Sequence, residues 1–442
     1  MSKRILIVHP SHYVSKNSRT VFKSRRRPLV PLPLPYLAAL TPAGWDIALV
    51  DEQVQDVDFH SKPDLVAITA WTMHSLRGYD VARGFREQGV PVIMGGPHVW
   101  FYPEEAAEHC DAIGIGEGEP IWARMLEDAA NGRLQKVYRA PQMPSLSGLP
   151  LPRWDLLDLS KYGPFKTFSL MSSRGCPMQC DFCSERLYLG GGYRMRPAAD
   201  VIEEIKHCGS KNIFFGDSDF GGKRSQAMAL MEAMIPLKIR WSALWTSNLC
   251  NDTEFMDMAK RSGLLHVNLG IESINPDTLK SMNKRFNKVD RYSEMLRNIR
   301  RRGISYSLNF IFGWDNETPA VFRSTLDFLH QEKVPVAYFN ILTPDKGTMF
   351  FERMKNEGRI LRLEDVGRWP GQMCHIKPTY CTPEEIERNV QEMYREFYSW
   401  NSMIRRLPLP VTQANIASWV VNLSQRSMAR ASVEDNNNFD SY

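Results

Sequence analysis

The sequence predicts an α/β protein in which a doubly wound parallel sheet comes first, an incomplete barrel of six strand–helix units follows, and a small helical region ends the chain. Two observations lead to this prediction. Short, almost continuous apolar runs recur along the chain, as is typical of parallel strands buried on both faces. Helical stretches separate these runs, and such alternation is the pattern of parallel α/β folds.

The first third of the chain contains five apolar runs. Strands are expected at residues 3–8, 46–51, 64–69, 91–94 and 112–115. Helices are expected at residues 34–42, 75–88, 103–109 and 119–131. A doubly wound sheet binds ligands beyond the carboxyl ends of its strands. Three turns rich in small residues fall at those ends, at residues 69–72, 95–98 and 116–119.

A second series of strands and helices follows a proline-rich linker at residues 141–165. Strands are expected at residues 167–172, 212–216, 240–245, 265–270, 305–312 and 336–342. Helices are expected at residues 198–208, 223–235, 252–262, 288–302, 317–331 and 382–404. Six strand–helix units suit a partial barrel that is open on one side.

The predicted domains are therefore a sheet domain at 1–140, the linker at 141–165, a partial barrel at 166–365 and a helical region at 366–442. The polar tail from Glu434 onward is expected to fray.

Composition excludes several classes of protein. With 442 residues the chain has room for two to three domains, and its net charge of +5 is too small to indicate nucleic acid binding. Basic clusters at residues 23–27 and 300–302 are typical of solvated faces or of an anion-binding patch. No apolar run reaches the ~20 residues of a membrane span, and the first run is too short for a signal peptide. Eight cysteines, three of them bunched, indicate a reducing cytoplasm rather than a disulfide framework.

Three cysteines, Cys176, Cys180 and Cys183, narrow the chemistry more than any other feature. Three thiolates on one short loop can hold three irons of a [4Fe–4S] cluster, which normally takes four cysteines. The next cysteine along the chain is Cys208, so one iron would stay open to bind another group. Zinc ligands usually come in closely spaced pairs, and the remaining alternative is three unrelated buried thiols.

This cysteine spacing resembles the signature of the radical S-adenosylmethionine (SAM) enzymes. Phe182, the aromatic residue just before the last cysteine, fits the same loop. The resemblance implies that the open iron chelates SAM, and that one electron from the cluster splits SAM into methionine and a 5′-deoxyadenosyl radical. An electron donor such as flavodoxin or ferredoxin is then an expected partner.

The N-terminal third resembles the cobalamin-binding domain that precedes the barrel in one large subgroup of this family, on the stretches 94–98 and 114–119. Glycines there would let the backbone approach a flat macrocycle closely, and the alternative is a pair of tight turns without a ligand. The residues expected to bind cobalamin are Thr69, Thr72, Gly95, Gly96, Pro97, His98, Gly116, Glu117 and Gly118.

The chain lacks the Asp-x-His-x-x-Gly motif whose histidine ligates cobalt in many cobalamin proteins. Members of the subgroup it resembles commonly lack that motif too, so cobalamin is not excluded. The sequence therefore assigns no axial ligand to cobalt, and an empty domain is the alternative.

The carboxyl ends of later strands carry residues that resemble the SAM site of the family. Asp217 suits the SAM ammonium group, although it could equally cap the next helix. Glu272 and Ser273, in a Gly-x-Glu-Ser element, resemble the residues beside the SAM ribose. Phe310 and Phe312 belong to a strand that resembles the one packing on adenine, or they are core residues. The expected SAM-binding residues are Phe182, Asp217, Glu272, Ser273, Phe310 and Phe312.

Two further features lie near these strands. Arg194 and Arg196 follow the cysteine loop and could neutralise the SAM carboxylate, although arginines in such pairs are often solvated. Glu317 follows the strand at 305–312, and residues 344–348 resemble a late loop of the same subgroup. No residue is assigned a catalytic role.

The resemblance covers residues 1 to about 360 and implies a cobalamin-dependent radical SAM enzyme. We favour a methyltransferase, in which one SAM methylates cobalamin, a second SAM yields the radical that activates an unactivated substrate carbon, and that carbon takes the methyl group. One alternative is a cyclase, oxidase or rearrangement enzyme with the same cofactors; another is a non-catalytic cobalamin and cluster sensor. The substrate is expected to be a small apolar molecule such as a lipid, a natural product or a tetrapyrrole.

Overall fold

The structure is a computed structural model that describes residues 2–24, 27–141, 143–369, 373–407 and 413–434. Arg25 and Arg26 of the N-terminal basic cluster, and the polar tail after Glu434, lie outside the described residues. The chain divides into two compact units. The first unit comprises Met1–Ser172 with Tyr188–Phe214, and the second comprises Ser173–Leu187 with Phe215–Tyr442.

Strands and helices alternate along most of the chain. The strands are β1 Lys3–His9, β2 Leu29–Val30, β3 Trp45–Asp51, β4 Leu65–Thr69, β5 Val92–Gly95, β6 Ala112–Ile115, β7 Val137–Arg139, β8 Thr167–Leu170, β9 Ser173–Arg174, β10 Arg194–Met195, β11 Asn212–Phe215, β12 Arg240–Trp245, β13 Leu264–Glu272, β14 Ser305–Phe312 and β15 Val336–Ile341. The α-helices are α1 Pro33–Leu40, α2 Ser75–Arg86, α3 Pro97–Phe101, α4 Pro103–His109, α5 Trp122–Ala130, α6 Glu185–Tyr188, α7 Ala198–Cys208, α8 Arg224–Met234, α9 Thr253–Arg261, α10 Pro276–Ser281, α11 Tyr292–Arg301, α12 Ala320–Gln331, α13 Met349–Asn356, α14 Pro383–Phe397, α15 Trp400–Arg406 and α16 Gln413–Glu434.

The first unit contains a six-stranded parallel sheet with the order β3-β1-β4-β5-β6-β7. From β1 the chain passes to β3 on one side and then to β4 on the other, so the winding reverses between β1 and β4. This is the topological switch point at which doubly wound sheets bind ligands. The predicted doubly wound sheet is confirmed, and β7 is a short strand added at its edge.

The core of this sheet comes from the apolar runs that predicted its strands. Val8, Ile68 and Met94 are buried on neighbouring strands, and Phe85 of α2 belongs to the same buried cluster. Burying a side chain of this size contributes roughly 1.5–3 kcal/mol. The core therefore fixes the position of the strands. The residues that can contact a ligand lie in the turns at the carboxyl ends of these strands.

A second parallel sheet has the strand order β15-β14-β13-β12-β11-β8-β2, and six of these strands are those predicted for the partial barrel. In the second unit, β13 pairs in parallel with both β12 and β14. The β13–β14 register shifts between Gly270 and Glu272, and Glu272 has a φ of +63°. Such bulges re-aim a side chain at the end of a strand.

The C-terminal part of the second unit is helical, as predicted. Helix α14 begins with a capping box in which the Thr382 hydroxyl accepts from the Glu385 backbone and Glu385 accepts from the Thr382 backbone. Helices α15 and α16 follow it. Among the described residues, no helix combines the length and the apolar character that crossing a bilayer requires.

Candidate functional site

The cysteine loop, residues 176–183, is held by other segments of the second unit. The Asn283 side-chain amide donates to the Gln179 carbonyl at 2.7 Å. The Phe350 backbone N–H donates to the Asp181 carbonyl at 3.0 Å. These contacts fix the loop through the segment after α10 and through the start of α13, so the thiols are presented from a supported backbone.

The three thiols of the loop are free and partly accessible. Burial raises the pKa of Cys176 and Cys180 to about 11 and that of Cys183 to about 12. Metal binding requires thiolates, so taking up iron would release one proton from each cysteine.

Among the described residues, no three His, Cys, Asp or Glu side chains converge as ligands of a single ion. Cluster thiolates each ligate a different iron, so their sulfurs need not converge. The donor set, three free thiols on one loop, fits a [4Fe–4S] cluster with one open iron.

A buried ion pair lies beside this loop. Lys284 Nζ donates to Glu272 Oε1 at 2.6 Å, and both side chains are about nine-tenths buried. Burial lowers the pKa of Lys284, but Glu272 and Cys180 outweigh it and raise that pKa. The Lys284 ammonium also lies 5.8 Å from the centre of the Phe182 ring. Sequence reasoning missed Lys284 because it stands in a polar stretch whose burial depends on tertiary packing.

The carboxylates at neighbouring strand ends are also buried. Asp217 accepts a hydrogen bond from the Ser173 backbone N–H at 3.2 Å. The Ser273 hydroxyl donates to Glu317 Oε1 at 3.2 Å, and Glu317 Oε2 accepts from the Gly313 N–H at 3.2 Å. Burial raises the pKa of Glu317 to about 7. Ser273 and Glu317 thus form a polar support at the ends of β13 and β14.

Phe310 and Phe312 are fully buried in the second unit. Phe312 packs on Phe322 of α12 with ring centres 5.1 Å apart. Side chains alternate along a strand, so Asn309 points to the other face, where its amide donates to Asn268 Oδ1 at 2.6 Å. Both phenylalanines thus pack as core residues, which was the alternative to packing on adenine.

In the first unit, six of the expected cobalamin-binding residues lie together at the carboxyl ends of β4 and β5: Thr69, Thr72, Gly95, Gly96, Pro97 and His98. The Ala70 N–H donates to the Gly95 carbonyl and the His98 N–H donates to the Ala70 carbonyl, both at 3.1 Å. The buried His98 ring hydrogen-bonds Tyr79 Oη and, at 3.4 Å, Thr72 Oγ1. His98 therefore joins the two turns and does not present a ring nitrogen to a ligand.

The glycines at this edge fall into two groups. Gly96 has a φ of +99°, and an added Cβ would lie 2.8 Å from the Ala70 carbonyl oxygen. Gly116 also has a positive φ, of +98°. A Cβ on Gly95 or Gly118 would meet nothing closer than 3.7 Å or 3.8 Å. The fold requires the first two glycines, whereas at the other two an added Cβ would make only ordinary van der Waals contacts, so the absence of a Cβ there is free to serve the close approach of a flat ligand.

Arg194 and Arg196 are already paired within the first unit. Arg194 forms a bidentate ion pair with Glu117 and also donates to the Pro144 carbonyl at 2.8 Å. Arg196 forms a buried ion pair with Glu204. Each guanidinium is thus already paired with a glutamate, and the expectation that these arginines neutralise the SAM carboxylate stays a prediction.

Sequence reasoning also missed residues beside the switch point. His9 ends β1, and its ring centre lies 4.8 Å from that of His74, which follows β4. Burial lowers the pKa of His9 to about 4 and lowers that of His74, so both rings are neutral at pH 7. Their Nδ1 atoms are buried without a hydrogen-bond partner. Trp71 is exposed at the same edge and packs edge-on against Tyr188.

Two family models match the chain in the order in which the two parts were predicted. The B12 binding domain matches residues 18–125, and the Radical SAM superfamily matches residues 170–329.

Curated relatives match the chain over most of its length. Bacteriochlorophyllide d C-12(1)-methyltransferase of Chlorobaculum tepidum is 29% identical over 431 residues, covering 95% of this chain and 91% of the relative. An uncharacterized methyltransferase of Pyrococcus horikoshii is 30% identical over 406 residues, covering 83% of this chain and 87% of the relative.

One solved structure has the same fold over nearly the whole chain. It is the radical SAM methyltransferase TsrM of Kitasatospora setae, with tryptophan and a SAM analogue bound. The TM-score is 0.70 at 17% identity, and the match covers 98% of both chains. At this identity the likeness concerns the fold.

Proposed function

We propose that this chain, which belongs to the radical SAM superfamily and carries a B12-binding domain, is a methyltransferase for an unactivated carbon of an apolar small molecule. The predictions of the family and of its cofactor set, a [4Fe–4S] cluster, SAM and cobalamin, are confirmed by the two family models. The observation that carries the proposal is a loop of three free thiols on a chain whose curated relatives are methyltransferases over most of its length.

The cofactors supply an organic radical and a transferable methyl group, and the protein supplies binding and orientation. Cys176, Cys180 and Cys183 would hold the cluster, leaving one iron for the amino and carboxylate groups of SAM. Lys284 offers a buried ammonium beside the loop to a ligand carboxylate, and Glu272 then becomes an acceptor for hydroxyl groups. We assign SAM cleavage to the domain at 166–365.

We assign cobalamin binding to the domain at 1–140. Gly95 and Gly118 carry no Cβ and are not required by the fold, so they would let a flat ring approach the backbone closely. The exposed Trp71 offers an aromatic surface to the same ligand. The Nδ1 atoms of His9 and His74 are available to hydrogen-bond a ligand at the switch point. Because both imidazoles are neutral, such a bond would bury no charge. His98 would not ligate cobalt, because both of its ring nitrogens are already hydrogen-bonded.

We propose a tetrapyrrole as the substrate class, because the relative from Chlorobaculum tepidum is named for a bacteriochlorophyllide. The test uses the full chain, anaerobically reconstituted with iron, sulfide and cobalamin, and supplied with SAM and bacteriochlorophyllide d. The expected product is heavier by one methylene, with S-adenosylhomocysteine and 5′-deoxyadenosine formed alongside it.

Three other outcomes are informative. Deoxyadenosine and a changed substrate without S-adenosylhomocysteine would favour cyclisation or oxidation over methylation. Reconstituted protein that binds cobalamin but leaves SAM intact under reducing conditions would favour a sensor. Methylation of a hopanoid lipid but not of the tetrapyrrole would overturn the substrate class alone. A flavodoxin or ferredoxin is the proposed electron donor, and either should replace dithionite in this assay.

A further inference from the structure

Strands β12 to β15 of the second unit have one apolar face and one polar face. On the apolar face, Trp245 packs on Phe255 of α9 with ring centres 5.3 Å apart, and Phe312 packs on α12. Side chains alternate along a strand, so the residues between these point to the other face. The partly exposed side chains there are mostly polar and include Ser242, Asn268, Asn309, Tyr338 and Asn340. Parallel strands between two apolar layers are apolar throughout, so this face is suited to a polar contact.

Two asparagines on the polar face form a hydrogen-bonded pair. The Asn309 amide donates to Asn268 Oδ1 at 2.6 Å, and the Ser307 hydroxyl donates to the same oxygen at 3.0 Å. These bonds engage the oxygen of the Asn268 amide and not its nitrogen. Among the residues that the structure describes, nothing accepts from Asn268 Nδ2. Both N–H donors of this amide are therefore available to a ligand, at a partly exposed position.

The asparagine pair shares its face with the ion pair beside the cysteine loop. Gly270 follows Asn268 by two residues, on the same face, and is the register partner of Asn309. A Cβ added to Gly270 would lie 2.9 Å from Lys284 Nζ and would also contact Glu272 Oε1. The ion pair therefore covers Gly270, and Asn268 lies about 7 Å before it along β13, the rise of two strand residues. A molecule of several rings that contacts Asn268 would extend to the ion pair and to the cysteine loop.

The surroundings of the Asn268 amide are uncharged. Its register partners on β12 and β14 are Leu244 and Ser307, and the register partner of Asn309 on β15 is Tyr338. A buried charge without a partner is unfavourable, so a neutral carbonyl oxygen fits this position better than a carboxylate. A hydrocarbon would cover the amide and leave its two donors without an acceptor, which is also unfavourable.

We propose that the Asn268 amide donates a hydrogen bond to a neutral carbonyl group of the substrate. This inference rests on the proposed methyltransferase function and narrows its substrate to a mostly apolar molecule with a carbonyl group on its ring system. Chlorophyll-type tetrapyrroles have such a group, whereas the hopane skeleton is a hydrocarbon. The hydrogen bond would hold the substrate in one orientation and thereby select which of its carbons faces the cysteine loop.

The test measures substrate binding without turnover. The full chain is reconstituted with iron, sulfide and cobalamin and supplied with SAM but no reductant, and equilibrium dialysis at pH 8 gives the Kd for bacteriochlorophyllide d. Asn268→Asp keeps the oxygen that accepts from Asn309 and Ser307, but it replaces the nitrogen donor by a second oxygen. It should raise the Kd about tenfold or more. Asn268→Ala, which removes the amide without adding a charge, should give a similar rise.

Two controls separate binding from folding. Ser305→Ala removes the buried hydroxyl that hydrogen-bonds His266 and Ser418 near the start of β14, each at 3.0 Å. It should bind bacteriochlorophyllide d like the parent protein even where it lowers the unfolding midpoint. Asn356→Asp adds the same charge at an exposed position of α13 and should also bind like the parent protein.

Three results would overturn the proposal. If the parent protein methylates bacteriochlorophyllide d and both Asn268 variants bind it equally well, the function stands and the assignment to Asn268 fails. If Ser305→Ala raises the Kd as much as Asn268→Ala, the effect of Asn268 is structural. If the parent protein neither binds nor methylates bacteriochlorophyllide d, the tetrapyrrole substrate class and this inference fail together.

Discussion

The two candidate cofactor sites are built from different materials. At the carboxyl ends of β4 and β5 in the first sheet, the groups are neutral: glycines, hydrogen-bonded turns and the uncharged His74. Beside the cysteine loop of the second unit, ionisable groups are buried against one another, as in the Lys284–Glu272 pair. The first site is formed by fixed turns, so atoms added where the ligand approaches them should damage it. The second site depends on paired charges, so removed atoms should damage it.

The largest effect is expected from removing a thiol. Cys176→Ala, Cys180→Ala or Cys183→Ala should lower SAM cleavage about a thousandfold or more, because the cluster loses a ligand. Iron, acid-labile sulfide and 5′-deoxyadenosine are the measurements. Cys381→Ala, which removes a free thiol outside the loop, is the control and should retain all three. Cobalamin binding should survive in every variant, because the first site contains none of these cysteines. Full deoxyadenosine formation in a loop variant would refute the assignment of the cluster to these cysteines.

Breaking the buried ion pair is expected to have the next largest effect. Lys284→Met leaves the Glu272 carboxylate buried without its partner and should lower the free energy of unfolding by about 3–5 kcal/mol. Adding Glu272→Gln should restore most of it, since no charge is then left unpaired. Denaturant unfolding of the full chain measures both. Lys288→Met, at an exposed position nearby, should leave the midpoint unchanged, and a similar loss there would contradict this assignment.

A pH dependence is expected from Glu317, whose pKa burial raises to about 7 from 4.5. The folded state holds this proton more tightly than the unfolded state. Its contribution to stability is therefore complete below about pH 4.5 and is lost as the pH rises through about 7, by roughly 3 kcal/mol. Unfolding free energy measured at about pH 5 and pH 8 should fall less in Glu317→Gln than in the parent protein. An equal fall in the Glu317→Gln variant and the parent protein would refute the assignment to Glu317. The control is Glu364→Gln, at an exposed position, which should behave like the parent protein.

The smallest changes separate the two groups of glycines in the first site. Gly96→Ala places a Cβ against the Ala70 carbonyl at a positive φ and should cost about 1–3 kcal/mol of unfolding free energy. Gly95→Ala should leave stability nearly unchanged, because its Cβ would make only an ordinary contact, but should weaken hydroxocobalamin binding about tenfold or more by keeping the ring away from the backbone. Thermal unfolding and absorbance titration are the measurements. Equal destabilisation by both variants would show that Gly95 has only a structural role.

The fold was predictable because its strands are apolar runs of a length that only buried parallel strands use. The runs at 3–8 and 64–69 became β1 and β4, in which residues 5–9 and 65–68 are buried whichever way their side chains point. β7 was missed because it is three residues long and mostly exposed. Periodicity could locate the C-terminal helices, but it could not say which face of α16 is buried.

The site was less predictable, because a side chain's role depends on its tertiary partner. Sequence reasoning placed Glu117 and Arg194 at different cofactors, yet the fold pairs them with each other. Lys284 looks solvated in sequence and is buried in the structure. The cysteine loop was the exception, because its three ligands are local in sequence and need no distant residue to be recognised.

The hydrogen bonds between the turns after β4 and β5 affect how a corrinoid would bind. Backbone hydrogen bonds through Ala70 and the ring of His98 already join these turns. A platform that is rigid before its guest arrives loses little conformational entropy on association. The distance between the two turns is therefore fixed, so ligands whose thickness does not match that distance should bind poorly.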